Sequence, residues 1–140
     1  MPFSCDRQVF LADTDSAGVV YFASLLRLCH EVYELSLAEF GINLRQFCQS
    51  ASLAIPITHA EIDFFQPIYA GDKLAISLSG QKLTSATFQL KYAICQHGGQ
   101  LASRALTKHT CICPQTRHKI ALPDQIDRWL LTVLSADGSC

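Results

Sequence analysis

Charge is scarce in this sequence. Only 16% of its 140 residues are Asp, Glu, Lys or Arg, against roughly 25% in an average globular chain. Eleven basic residues against twelve acidic ones leave a net charge of −1. With no long-range field to attract a polyanion or an anionic membrane, nucleic-acid and membrane partners are not expected. Hydrophobic residues make up 49% of the chain, which excludes the weakly hydrophobic, highly charged composition of a disordered segment. No apolar run approaches the ~20 residues of a membrane span; the most apolar early stretch, Ala17 to Leu26, is short and interrupted by Gly18 and Ser24. The N-terminus has no basic stretch leading into an apolar run and a small-residue cleavage site. A soluble, cytoplasmic protein is the expectation.

Several motifs are also missing. The seven cysteines are odd in number, scattered and never spaced as CxxC, which argues for free thiols rather than a disulfide framework. There is no G-x-S-x-G elbow of a serine hydrolase. Neither G-x-x-x-x-G-K-[ST] nor G-x-G-x-x-G occurs, so the phosphate-cradling loops of nucleotide enzymes are absent. No Pro/Gly/Ser-rich linker, charge block or internal repeat divides the chain, and residues 1–140 read as a single domain. A chain of this size buries only about 68% of its unfolded surface. So low a charged fraction therefore suggests that partner subunits cover part of the surface.

The pattern that is present alternates between two periods. Residues 6–12 are strand-like, and Asp13-Thr14-Asp15-Ser16-Ala17-Gly18 then supplies turn formers. From Tyr21 to Phe40 the apolar residues Phe22, Leu25, Leu26, Cys29, Val32, Tyr33, Leu37 and Phe40 recur at helical spacing, and Gly41 is placed to end the helix. Leu28 and Leu35 widen the apolar stripe, predicting cover on more than one side. After a short helical or irregular stretch at 43–52, the strands predicted are 57–65, 74–79, 87–95 and 101–113. A short helix at 124–134 follows, opened by Pro123. Short turns between consecutive strands imply antiparallel pairing, and one long helix is available to cover the sheet. The predicted class is α+β, an antiparallel sheet wrapped around one central helix.

Asp13 and Asp15 resemble the start of a calcium loop, but its fifth and twelfth positions hold Ala17 and Ser24, so calcium is rejected. One reading leaves these aspartates as caps of a turn or helix. The other puts Asp15 beside a helix start, whose free N–H groups and positive dipole end polarise an acyl carbonyl and stabilise the oxyanion formed on attack. The carboxylate then attacks the carbonyl or activates water, and Gly18 lets backbone and substrate approach closely. His109, Cys111 and Cys113 alternate along one strand; neighbours about 6.6 Å apart are too widely spaced for one tetrahedral ion, so no metal site is expected. His59 stands near Glu61 and Asp63, and is either a structural histidine or a site residue.

The run Gln8–Phe22 (QVFLADTDSAGVVYF) resembles the signature of the 4-hydroxybenzoyl-CoA thioesterase family of hotdog-fold proteins. The likeness continues through the helix, HAEIDFFQP at 59–67, Gly71-Asp72 and the strand at 101–113. LADTDSAGVVYF, CHEVYE and HAEIDFF carry a closer match to members acting on a flat, hydroxylated aromatic acyl group. The resemblance implies a hotdog fold, hydrolysis of an acyl-CoA without cofactor or metal, and a homo-oligomer (a dimer or dimer of dimers, hence a homotetramer) with active sites between subunits. By position in the motif, Asp15 corresponds to the catalytic carboxylate and the backbone amide of Phe22 to the carbonyl-polarising donor. Gly18, Tyr21 and His59 are candidate substrate-binding residues, and Asp13 a structural neighbour. A general acyl-CoA hydrolase and a non-catalytic acyl-CoA-binding hotdog protein are the alternatives. Where some members hold the CoA phosphates, residues 81–86 here (QKLTSA) offer one cation.

Overall fold

The computed structural model describes residues 2–134. Five strands form one sheet in the order β1-β3-β4-β5-β2, all neighbours antiparallel. They are β1 (Phe3–Gln8), β2 (Ile57–Phe64), β3 (Lys73–Lys82), β4 (Thr87–Gln96) and β5 (Leu101–Thr110). The long helix α1 (Phe22–Phe40) packs on one face of the sheet, accompanied by the short α2 (Leu44–Cys48) and by α3 (Asp124–Thr132). Leu74, Ile76 and Leu78 of β3 and Phe88, Leu90 and Ile94 of β4 point to that face and are fully buried.

Helix α1 ends as its glycine predicts. Gly41 adopts φ +103°, its N–H reaches Ala38 O, and Ile42 N–H reaches Leu37 O at 3.0 Å, a Schellman closure that satisfies the last carbonyls. The helix buries Leu25, Leu28, Cys29, Val32, Tyr33 and Leu37, but Leu35 is 52% exposed. Among the described residues its cover is one-sided, because the opposite flank meets no second layer. At the other end of the molecule, Gly80 lets α3 approach β3. A Cβ there would stand 3.1 Å from both Leu130 and Leu90.

Several strand boundaries and one cysteine depart from expectation: β1 begins at Phe3 rather than at residue 6, and β3 runs to Lys82 rather than 79. β1 stops at Gln8 rather than continuing to residue 12, because Leu11–Asp13 coil into a 3₁₀ turn. Asp13 N–H donates to Phe10 O, and the Asp13 carboxylate accepts Phe10 N–H at 2.9 Å. A short acidic side chain bonding its own backbone competes with a strand ladder. β5 ends at Thr110, three residues short of Cys113. There the chain leaves β4: Cys111 N–H bonds Ala86 O, Ile112 pairs with Ala54, and Cys113 enters the turn at 113–118. Cys5, Cys29, Cys48, Cys111 and Cys113 are free thiols, whereas Cys95 is disulfide-bonded. Cys140 lies outside the described residues.

His109 sits at the centre of an aromatic cluster joining sheet and helices. Its ring stacks on Phe88 at 4.7 Å and meets Tyr33 edge-on at 4.9 Å, while Trp129 packs against both. Its Nε2 bonds Thr107 Oγ1 at 2.8 Å, but Nδ1 is buried without a partner. Burial, helped by His30, pushes the His109 pKa down to about 4, since the cation would be stranded in an apolar surrounding. The unfolded chain therefore binds the extra proton between about pH 6.5 and 4, and stability is lost as pH falls through that window. A difference of this size corresponds to about 3 kcal/mol. Urea titrations from pH 7 to 4 should show that loss, and the His109→Phe variant should lack it.

Candidate active site

The segment from Asp13 to Phe22 is folded into a closed loop by its own backbone. Thr14 pairs with Val20, Asp15 N–H donates to Val19 O at 2.9 Å, and Gly18 N–H donates to Asp15 O at 3.0 Å. Gly18 has φ +81°, a conformation that favours glycine. Val20 N–H bonds Ile68 O at 2.7 Å and Tyr21 N–H bonds Asp13 O at 3.1 Å. The loop thus returns to its starting point, with Asp15 inside the closure and Phe22 immediately after it. The Asp15 carboxylate is exposed, and its Oδ1 accepts Ala17 N–H at 2.9 Å. This is the capping geometry of an Asx turn, and it leaves Oδ2 without a partner among the described residues.

Helix α1 starts immediately after this loop. Tyr21 stands at the N-cap with no side-chain cap, and the first turn holds no acidic residue. Ser24 N–H turns back to Tyr21 O, whereas the Phe22 and Ala23 amides meet no protein acceptor among the described residues. They form an unneutralised positive helix end. Beside it lies a cleft of about 300 Å³ lined by Val20, Phe22, Leu25, Phe64, Pro67 and Ile68, with Gln66 its one polar side chain. Phe22 is 61% exposed, and the Tyr21 ring lies 4.8 Å from the Phe22 ring. A larger groove of about 660 Å³ on the outer face of β1, β3 and β4 contains none of the candidate site residues.

Asp13 is not part of that opening. It is only 3% exposed and bonds Arg7 at 2.9 Å and Arg27 at 2.6 Å. Burial alone would raise its pKa, but the two guanidinium groups and the Phe10 amide hold it down at about 2. Arg7 and Arg27 also share Glu31, each at 2.9 Å. Sequence reading missed this cluster. The Arg27–Glu31 spacing of i,i+4 was a legible signal, but nothing local ties Arg7 to either residue. His59 is half-exposed with Nε2 3.1 Å from Glu61 Oε1. It stands about 16 Å of strand before Phe64, so one chain does not bring it to Phe22. Lys82, the cation of residues 81–86, pairs with Asp127 at 2.8 Å. Among the described residues no three His, Cys, Asp or Glu side chains are grouped to hold a metal ion.

An antiparallel sheet curved over one long helix, with a helix start opening onto an apolar cleft, defines the hotdog class. The family model for the thioesterase-like superfamily matches residues 9–130, and the chain belongs to that superfamily. The chain is 47% identical to the 1,4-dihydroxy-2-naphthoyl-CoA hydrolase of Microcystis aeruginosa over 140 residues, 99% of each protein. It is 48% identical to the hydrolase of the same name from Gloeothece citriformis, covering 94% of both. The crystal structure of a 1,4-dihydroxy-2-naphthoyl-CoA thioesterase from Synechocystis superposes with a TM-score of 0.90 at 39% identity, covering 94% of this chain and 96% of that one. A gentisyl-coenzyme A thioesterase shares the fold at a TM-score of 0.79 and 20% identity.

The depressed Asp13 pKa contributes stability that is fully present above the ordinary carboxylate value of about 3.9 and is lost as pH falls toward 2. Asp13→Asn should destabilise the protein by about 2 kcal/mol at pH 7. The difference between wild type and variant should shrink between pH 4 and 2, as read by urea unfolding at each pH.

Proposed function

We propose that the chain hydrolyses 1,4-dihydroxy-2-naphthoyl-CoA to 1,4-dihydroxy-2-naphthoate and CoA. In that reading the reaction belongs to phylloquinone (vitamin K1) biosynthesis, in the cytoplasm. The observation that carries it is the pair of unpartnered amides at Phe22 and Ala23, opening onto an apolar cleft on the loop that bears Asp15. The full-length identity to hydrolases of that name supports the choice of acyl group. Among the described residues no helix is long and apolar enough to cross a membrane.

The aromatic acyl group occupies the cleft, where flat apolar walls bury it without unsatisfied polar groups. Its thioester oxygen rests on the Phe22 N–H, which strengthens as negative charge develops. Asp15 either attacks the thioester carbon, giving an acyl-enzyme that water hydrolyses, or takes a proton from water as it attacks. In both routes the carbon–sulfur bond breaks, hydroxide from water ends on the acyl carbon, and the thiolate of CoA leaves. Gly18 keeps the turn clear of side-chain bulk, and Tyr21 flanks the entrance. The reaction so written uses no cofactor and no metal.

The single domain, residues 1–140, functions in this reading as a homo-oligomer, a dimer or a dimer of dimers. Strand β2 is a sheet edge and is exposed along its length apart from Ile62, an arrangement that invites pairing with another strand. Two β2 strands paired antiparallel would continue the sheet across both copies. The His59 end of one would then lie alongside the Phe64 end of the other, so His59 would reach the cleft of the second subunit.

Hydrolysis of 1,4-dihydroxy-2-naphthoyl-CoA should be compared with that of benzoyl-, palmitoyl- and acetyl-CoA by chromatography. A strong preference in kcat/KM for the naphthoyl substrate is expected, with kcat in a folded Asp15→Asn variant reduced by about 10²-fold or more. Near-normal turnover in that variant would remove Asp15 from the mechanism. Activity spread over the aliphatic substrates would identify a general acyl-CoA hydrolase, and tight binding without cleavage a non-catalytic acyl-CoA-binding protein.

A further inference from the structure

We propose that Arg7, Asp13, Arg27 and Glu31 form a positioning ring for the thioesterase site, fixing the Asp15 turn and the start of α1 in one register. The inference rests on the hydrolysis proposed above and adds the residues that hold its two reacting groups in place. The ring is closed. Arg7 Nη1 meets Asp13 Oδ2 at 2.9 Å, Asp13 Oδ1 meets Arg27 Nη2 at 2.6 Å, Arg27 Nη1 meets Glu31 Oε2 at 2.9 Å, and Glu31 Oε1 meets Arg7 Nε at 2.9 Å. Two cations and two anions leave it neutral, and it joins β1, the 3₁₀ turn and the second and third turns of α1.

Its geometry exceeds what a turn cap requires. One Asn or Ser oxygen suffices to accept the Phe10 amide, yet this chain commits two of its eleven cations to one carboxylate. An isolated exposed ion pair is worth little because two long side chains must be ordered for it. Here each side chain is already ordered by the next, and the Asp13 carboxylate at the hub is 3% exposed. The same residue reaches the site through its backbone, since Asp13 O accepts Tyr21 N–H at 3.1 Å. Phe22 is the next residue after Tyr21, and Asp15 lies two residues after Asp13. Residues 15–18 are themselves exposed, so their position depends on how the two ends of the loop are anchored.

The chemistry makes such anchoring valuable. Donor and carboxylate must be held within about 0.5 Å of productive geometry, and a displacement of about 1 Å costs about 10²-fold in rate. Because the ring touches neither reacting group, its loss should lower kcat while leaving substrate affinity nearly intact.

Asp13→Asn and Arg27→Gln test this, the second being a half-exposed helix position that leaves β1 and the core untouched. Kinetics on 1,4-dihydroxy-2-naphthoyl-CoA should be measured at one fixed interval below the Tm of each variant. Hydrogen–deuterium exchange of the peptide spanning 9–22 should be followed beside that spanning 74–82. The expected result is a kcat lowered by about 10²-fold in Asp13→Asn and about tenfold in Arg27→Gln, with KM within threefold. In Arg27→Gln, exchange should accelerate at least tenfold in 9–22 and not in 74–82, as local rather than global opening requires. A folded Arg27→Gln with kcat within twofold of wild type would overturn the proposal. So would a KM that rises while kcat holds, which marks Arg27 as a CoA contact, or equal acceleration in both peptides. If the wild type cleaves none of the thioesters, the hydrolysis reading fails, and the exchange comparison alone decides whether the ring fixes the loop.

Discussion

A carboxylate as enclosed as that of Asp13 must be matched by donors, because a charge taken out of water without partners is among the costliest things a fold can contain. In this protein the match is made by arginines from two different elements and by the amide of Phe10. That one requirement draws the end of β1, the 3₁₀ turn and the first half of α1 to a common point. The loop between them is then closed by short backbone bonds at Thr14–Val20 and Asp13–Tyr21. The start of the long helix, whose first amides meet no acceptor among the described residues, is consequently tied back to Asp13 although the turn beside it is exposed to solvent.

The two aspartates of the motif divide their work by environment. Asp13 is surrounded by cations and donors and stays with the fold. Asp15 uses one oxygen to shape its own turn through the Ala17 amide and leaves the other without a partner among the described residues. The capping role of Asp15 thus uses one oxygen, and the proposed chemical role would use the other. A carboxylate held by one oxygen is restricted in rotation, which suits the orientation that the proposed hydrolysis asks of Asp15.

The sheet is asymmetric in a way that bears on the same site. Its strands β3 and β4 bury their inner faces completely, and the aromatic cluster of Tyr33, Phe88, His109 and Trp129 binds β4 and β5 to α1 and α3. β2, by contrast, is an exposed edge, and the cleft beside Phe22 is walled by residues at and just after its end. Stability thus resides in the middle of the sheet, and the cleft beside Phe22 lies at its least covered margin.

The α+β class, the long helix with its glycine stop, the strand order in sequence and the Asp15 motif were all legible in the chain. Each depends on periodicity or on turn chemistry within a few neighbouring residues. The resemblance carried Asp15 and the Phe22 amide further, into roles that local spacing left undecided between cap and catalyst. What only the tertiary structure decided involves residues far apart in sequence. Arg7 meets Glu31 across 24 positions and closes the ring at Asp13, β1 ends early where the Asp13 side chain captures the Phe10 amide, and Leu35 faces outward in a stripe that composition alone made uniformly apolar. Residues 64–68 become the wall opposite Phe22 because Val20 bonds Ile68. A single sequence records which residues can make such contacts, but the pairing is set by the packing of helix on sheet, where distance in space replaces distance along the chain.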